Sequence, residues 1–142
     1  QSDWVVKESN IYLKRLPKWL NVKVILVAPV KSKMSIATKL AAEARMIRKK
    51  ICSDDYLIIL DSQGFSLNNA YLVSEFKKLM IDGRAVKVIV GGPDGVDDSL
   101  KVEAHSIWSM SKLIFPHALS LLIFIEQIYR TTSILANHPY HK

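Results

Sequence analysis

Val86-Lys87-Val88-Ile89-Val90 runs directly into Gly91-Gly92-Pro93-Asp94-Gly95. Four of the first five residues are β-branched, which suits a strand. Glycines let a backbone turn tightly and approach a ligand closely. A strand entering such a cluster and leaving toward a helix has the order of a ligand-binding loop in an α/β sheet. A tight strand–helix turn accounts for the glycines equally well. No Gly-Lys-Ser/Thr follows, so the loop is not a P-loop, and it lacks the GxGxxG dinucleotide spacing.

Outward from this stretch, strands and helices alternate. Val22–Val27 (VKVILV) predicts a strand closed by Pro29, and Tyr56–Leu60 (YLIIL) another. Ile36, Leu40, Ala44, Ile47 and Ile51 recur at helical spacing and predict an amphipathic helix over 33–51. Lys39, Arg45, Arg48 and Lys49 fall on its other face. Ser66 is an expected N-cap for a helix burying Leu72, Phe76 and Leu79, with Gly83 as its stop. Asp97 or Asp98 is expected to cap a helix with Leu100, Ala104, Ile107 and Trp108 on one face and His105 among them. A last helix is predicted from about His117 to Leu135. Apolar strands alternating with helices imply the α/β class, with a mainly parallel sheet and helices on both faces. Ligands then bind beyond the carboxyl ends of the strands, near Leu60–Gly64, Gly91–Gly95 and Ser109–Pro116.

The chain has 142 residues, which fits one domain. With 49% hydrophobic and 23% charged residues its composition is globular, not disordered. The single Cys52 excludes an intrachain disulfide and a Cys-based metal site, and suits a reducing compartment. No secretory signal is visible, and the most apolar run, Leu119–Ile125, is too short to cross a bilayer. A cytoplasmic protein without a membrane partner is the default expectation.

The net charge of +7 is unevenly spread. Residues 1–50 hold twelve Lys/Arg against three Asp/Glu, whereas 51–100 hold four against eight. A basic first third suits a polyanion such as nucleic acid, and also a solvated Lys-rich face. Trp4 and Trp19 bracket a helical stretch holding Lys7, Lys14, Arg15 and Lys18. Basic residues interleaved with aromatics bind RNA in some proteins. A helix with one buried face gives the same pattern. His105 is expected to be a packing residue. His138 and His141 lack a nearby Asp, Glu or Cys to complete a metal site, and no metal is expected. No nucleophile elbow and no HExxH motif is present.

Three stretches together resemble a known family. They are Val90-Gly91-Gly92-Pro93-Asp94-Gly95, then Trp108-Ser109-Met110-Ser111-Lys112-Leu113 leading to Pro116-His117, then Tyr129-Arg130 through Asn137-His138-Pro139-Tyr140-His141-Lys142. In order and spacing they are similar to the ribosomal RNA large-subunit methyltransferase H family of the SPOUT superfamily. Asp3-Trp4-Val5, Tyr12-Leu13-Lys14-Arg15 and Leu60-Asp61 fit it too.

The resemblance implies a single SPOUT domain over 1–142, with a C-terminal trefoil knot that periodicity cannot reveal. It implies a homodimer, S-adenosylmethionine as methyl donor, and N3-methylation of a pseudouridine in the ribosomal RNA of the assembled ribosome. By the same resemblance Leu60, Gly91, Gly92, Met110, Ser111, Lys112, Leu113, Ile114 and Phe115 match the donor pocket. His138, Tyr140, His141 and Lys142 match the RNA-side tail, with the first three as catalytic candidates. Glu126 and Arg130 are expected in dimer or knot packing. Lys14, Arg15, Arg45, Arg48 and Lys49, with Lys142, are expected on RNA phosphates, which position an enzyme without choosing a base.

The family also has a strand before the segment matching Asp3-Trp4, and its absence here is expected to weaken the sheet. Lys112 stands where the family has a small residue, and Lys142 where it commonly has Arg. Two other readings compete: a non-catalytic RNA-binding or ribosome-associated module, which explains the charge but not the three motifs, and a SPOUT methyltransferase acting on another RNA.

Overall fold

The computed structural model describes residues 3–26, 33–92 and 94–141, the last without its side chain. Val27, Pro29, Pro93 and Lys142, named above, lie outside the described residues, as does the His141 side chain. The chain divides into two compact units. A sheet unit comprises Val22–Phe65 and Ala85–Ser109, and a helical unit comprises Gln1–Asn21, Ser66–Arg84 and Met110–Lys142.

The sheet unit holds β1 (Val22–Leu26), α2 (Ile36–Arg48), β2 (Tyr56–Ser66), β3 (Val86–Val90), α4 (Asp98–Glu103) and β4 (Ser106–Ser109). The helical unit supplies α1 (Asp3–Lys14), α3 (Asn69–Asp82), α5 (His117–Leu135) and a 3-10 turn at Pro139–His141. The strand order is β1-β3-β2-β4. Both neighbours of β3 are parallel to it, in the register Val24↔Val88↔Ile58. Every residue of β3 is buried, as an apolar run in a parallel sheet requires.

On one face Ile25, Leu57, Ile59 and Ile89 pack with Ala44 and Ile47 of α2, Leu100 of α4 and Val96. Burying each such aliphatic side chain is worth about 1.5–3 kcal/mol. Lys87 is the one cation of β3. Its Nζ donates to Asp55 Oδ2 (2.8 Å) and to the Lys50 carbonyl (3.1 Å), and Asp55 Oδ2 also accepts from the Cys52 amide (2.8 Å). This buried network joins the end of α2 to the start of the sheet.

Two expectations are corrected. The helix after Asp97 stops at Glu103, and Ile107 and Trp108 stand on β4. His105 follows the helix: its amide donates to the Leu57 carbonyl (2.9 Å) and its Nδ1 accepts from the Leu57 amide (3.0 Å). Its ring stacks on Tyr56, so it is a satisfied packing residue. Gly64 permits the fourth strand, because a Cβ there would meet the backbone of Ile107 and Trp108 at 2.7–2.8 Å. The second correction concerns Ser66. β2 runs through it, and the cap of α3 is Asn68, whose Oδ1 accepts from the Tyr71 amide (2.8 Å). Asp97 caps α4, and Gly83 ends α3 in the left-handed conformation (φ 73°).

In the helical unit α5 packs on α1 and α3. Leu121, Phe124, Ile125 and Ile128 form its buried apolar face. By length and composition the whole of α5 is able to span a membrane, which the shorter run Leu119–Ile125 does not show. Its buried face and its internal Glu126–Arg130 ion pair explain that composition as the central helix of this unit.

Removing one partner of a buried ion pair leaves an uncompensated charge, at about 3–5 kcal/mol. Asp55→Ala is expected to lower the unfolding free energy measured in urea by that much, and adding Lys87→Met to recover most of it. Equal stability of the single and double variants would show that the stranded ammonium is not the cause.

Candidate active site

At the carboxyl edge of the sheet, β2 delivers Leu60 and β3 delivers Val90 in register. Leu60 is buried. Beyond Val90 the chain turns so that the Gly95 amide donates to the Gly92 carbonyl (3.0 Å), with Gly95 at φ 83°. A Cβ on Gly91 would collide with Val96 Cγ2 at 2.7 Å and with the Gly95 carbonyl at 3.0 Å. One on Gly92 would meet none of the described atoms within 4 Å. Gly91 is therefore required by packing, whereas Gly92 borders open space.

Carboxylates surround this turn: Asp61 and Asp94, named above with the family motifs, and Glu43, which the sequence did not single out. Asp61 Oδ2 lies 3.3 Å from Lys101 Nζ, and Asp61 Oδ1 accepts from the Gln63 amide (2.8 Å). Glu43 is buried on α2. Burial first, then the carboxylate of Asp94, push its carboxyl up, with Lys39 opposing in part. A Glu within a Lys- and Arg-rich helix carries no sign of this in its sequence neighbours.

Within the helical unit, Met110–Phe115 form the segment leading into α5. Ser111 Oγ accepts from the Leu113 amide (3.0 Å). Leu113 and Ile114 are 72% and 93% exposed, so two apolar side chains of this short loop stand in water.

The tail is built on the end of α5. Asn137 adopts φ 56°, and the His138 amide donates to the Ser133 carbonyl (2.7 Å), which folds the chain back along the helix. Tyr140 Oη then donates to Glu126 Oε1 (2.9 Å). Arg130 Nη2 donates to the same oxygen (2.8 Å), with its guanidinium 5.2 Å from the Tyr140 ring centre. The Tyr140 ring meets Tyr129 edge-on at 4.5 Å. Burial, then hydrogen bonds with Tyr12 and Glu126, push the Tyr140 hydroxyl far above its ordinary value of 10.0. It stays neutral at working pH. His138 Nδ1 accepts from the Tyr140 amide (3.3 Å). In the neutral ring the proton then sits on Nε2, so the atom His138 offers outward is a donor.

Glu126 and Arg130 thus hold the catalytic candidate Tyr140, a contact their expected place in dimer or knot packing did not suggest. Beside them a cleft of about 630 Å³ is walled by Arg15, Trp19, Met80, Tyr129, Leu135 and His138.

The phosphate-contact candidates lie on both units. Lys14 and Arg15 are exposed at the end of α1, and Arg45 and Lys49 at the end of α2. Arg48 is engaged: its Nη2 donates to Ser99 Oγ (2.6 Å) and its Nε to Glu103 Oε1 (3.3 Å). Among the described residues no group of three or more His, Cys, Asp or Glu is placed to hold a metal.

A family model described as "Predicted SPOUT methyltransferase" matches residues 1–141. The chain is 36% identical over 141 residues to the ribosomal RNA large subunit methyltransferase H of Methylobacillus flagellatus, covering 99% of this chain and 91% of that one. It is 36% identical over 143 residues to the protein of that name from Dechloromonas aromatica, covering 100% and 92%. To that of Saccharophagus degradans it is 39% identical over 141 residues, covering 98% and 91%.

Of the five tyrosines, Tyr140 is expected to ionise last in an alkaline absorbance titration. Its folded-state pKa is raised, so the stability held by the neutral hydroxyl is complete below about pH 10 and lost as pH rises beyond it. Tyr140→Phe is expected to delete the last ionisation step, and Glu126→Gln to bring it to lower pH. A Tyr140 that titrates with the other tyrosines contradicts the assigned contact.

Proposed function

The chain belongs to the SPOUT methyltransferase family and, within it, to the ribosomal RNA large subunit methyltransferase H family, and from that premise we propose that it methylates N3 of a pseudouridine in large-subunit ribosomal RNA. The observation that carries this reading is identity of 36–39% to three such relatives over 98% or more of the chain. The proposal includes S-adenosylmethionine as donor, the assembled ribosome as substrate, a homodimer, a cytoplasmic location and a single SPOUT domain with a C-terminal knot.

Each unit carries residues that suit part of the donor. Leu60 supplies a buried apolar side chain level with the end of β3, and Gly92 leaves open the space that a Cβ would enter. By the family resemblance, backbone groups of Met110, Ser111, Lys112, Leu113, Ile114 and Phe115 meet the adenine, the Leu113 amide excepted because Ser111 Oγ already accepts from it. When bound, the donor supplies an electrophilic methyl carbon on its sulfonium. The chain's own work is positioning and electrostatics.

The uracil N3–H lies between two carbonyls and is weakly acidic, so loss of its proton creates the nucleophile. His141 is then the tail candidate to accept this proton, because His138 Nδ1 already accepts from the Tyr140 amide and its Nε2 carries a proton. The outward Nε2–H of His138 and the charge of Arg130 suit negative charge growing on the flanking carbonyls. Tyr140, neutral and fixed by Glu126, offers a ring and a hydroxyl of constant charge to the base. Lys14, Arg15, Arg45, Arg48, Lys49 and Lys142 hold RNA phosphates, with Arg48 contributing least because Glu103 and Ser99 engage it.

Labelled methyl from S-adenosylmethionine is expected to enter purified ribosomes in proportion to their pseudouridine. Equal labelling of ribosomes lacking pseudouridine would overturn the proposed target. Gly92→Val is expected to weaken donor binding by about tenfold or more in calorimetry, which is at least ~1.4 kcal/mol, while leaving the melting temperature in place. Gly91→Val is expected to lower the melting temperature, because Val96 and the Gly95 carbonyl already fill that space. Unchanged donor affinity in Gly92→Val removes the glycine turn from the donor site.

A further inference from the structure

We propose that the cleft of the helical unit holds a second RNA base, next to the methylated one, stacked on Trp19 and Tyr129 with its phosphate on the Arg15 rim. The inference rests on the RNA substrate proposed above and adds a subsite to it. The cleft measures about 630 Å³, within the range of small-ligand sites. Trp19 is half-buried, its indole in the cleft wall, and Tyr129 forms another part of that wall.

Tyr129 also continues an aromatic row. Tyr12 lies 5.8 Å from it and Tyr140 4.5 Å, so the cleft is contiguous with the catalytic tail through one shared ring. The guanidinium of Arg15 lies 5.9 Å from the Tyr129 ring centre. Lys14, Arg15 and Lys18 are exposed on the same short stretch of chain.

The chemistry of the wall favours a base held by its face. Thr132 Oγ1 donates to the Tyr129 carbonyl (3.0 Å) and Ser133 Oγ to the Arg130 carbonyl (2.7 Å), so both hydroxyls spend their protons on the helix. Met80, Leu135 and Pro17 add apolar surface. Aromatic faces beside a cationic rim are what single-stranded nucleic acid binds, with little dependence on which base is present. Lys14, Arg15 and Lys18 concentrate positive charge on this exposed stretch, and like charges repel. A polyanion removes that repulsion.

The probe is a fluorescein-labelled single-stranded RNA hexamer, compared with the same hexamer made abasic. The intact oligonucleotide is expected to bind the wild type several-fold more tightly, since each base stacked on an aromatic ring contributes substantially. Trp19→Ala is expected to abolish that preference and Trp19→Phe to keep most of it. Arg15→Met is expected to weaken both oligonucleotides alike and flatten the salt dependence.

With ribosomes, Trp19→Ala is expected to raise KM by about tenfold or more while kcat and donor affinity hold, because the site binds substrate without touching the reacting atoms. Photocross-linking of a thiouridine hexamer to the wild type, which needs no variant, is expected to label peptides containing Trp19 or Tyr129. The proposal is overturned by cross-links confined elsewhere, or by an equal preference for intact RNA in wild type and Trp19→Ala. It is also overturned if Trp19→Ala turns a dimer into monomers in sedimentation with RNA binding unchanged, since a second copy then fills the cleft. Failure of all methyl transfer with the base preference intact would instead reject the proposed reaction and leave this RNA site standing.

Discussion

Parallel pairing of β3 on both of its edges is the constraint from which the glycine turn beyond Val90 follows. A strand so placed loses water from both faces, and Val86, Val88, Ile89 and Val90 supply the apolar groups that make this favourable. Leu60 stands in register with Val90, the last residue of β3, while β2 runs on to Ser66, and the chain turns beyond Val90. Gly91 makes that turn possible because any side chain would strike Val96, and Gly92 leaves it open to a ligand. The cost of the single cation in β3 is met by Asp55, whose carboxylate also receives the Cys52 amide.

The tail depends on a different device. A left-handed Asn137 reverses the chain at the end of α5, and one carboxylate oxygen of Glu126 collects both the Tyr140 hydroxyl and the Arg130 guanidinium. The result is a neutral phenol with a fixed ring beside an Arg130 guanidinium that Glu126 pairs. That combination suits a reaction in which a neutral base becomes anionic on the way to methylation. The same Tyr129 ring that supports Tyr140 also walls the cleft, so the tail and the cleft share one aromatic side chain.

Local signals were legible in the sequence. Gly83 as a helix stop, Asp97 as a cap, the span of α5 and the three β-branched strands depend on residues a few positions apart, and the structure reproduces them. What was not legible depends on partners far along the chain. Leu100, Ala104, Ile107 and Trp108 fit one helical face, yet the last two form β4, because Gly64 admits their backbone at close range. Ser66 has the chemistry of a cap but lies at the end of an extended β2, and Asn68 takes the role. At the site, Gly91, Gly92 and the tail stood out by motif. Glu126 did not, since its partner lies fourteen positions on, around the end of a helix. Glu43 and Asp61 acquire their surroundings only when the glycine turn is folded beside them.

The most direct test of the account is the identity of the methylated nucleoside. Ribosomes carrying pseudouridine would be incubated with the protein and S-adenosylmethionine, and their large-subunit RNA digested and resolved by mass spectrometry. The account predicts one new nucleoside, a pseudouridine with its added methyl on N3. A methyl found on uridine, on another ring position, or only on RNA outside the large subunit would contradict it.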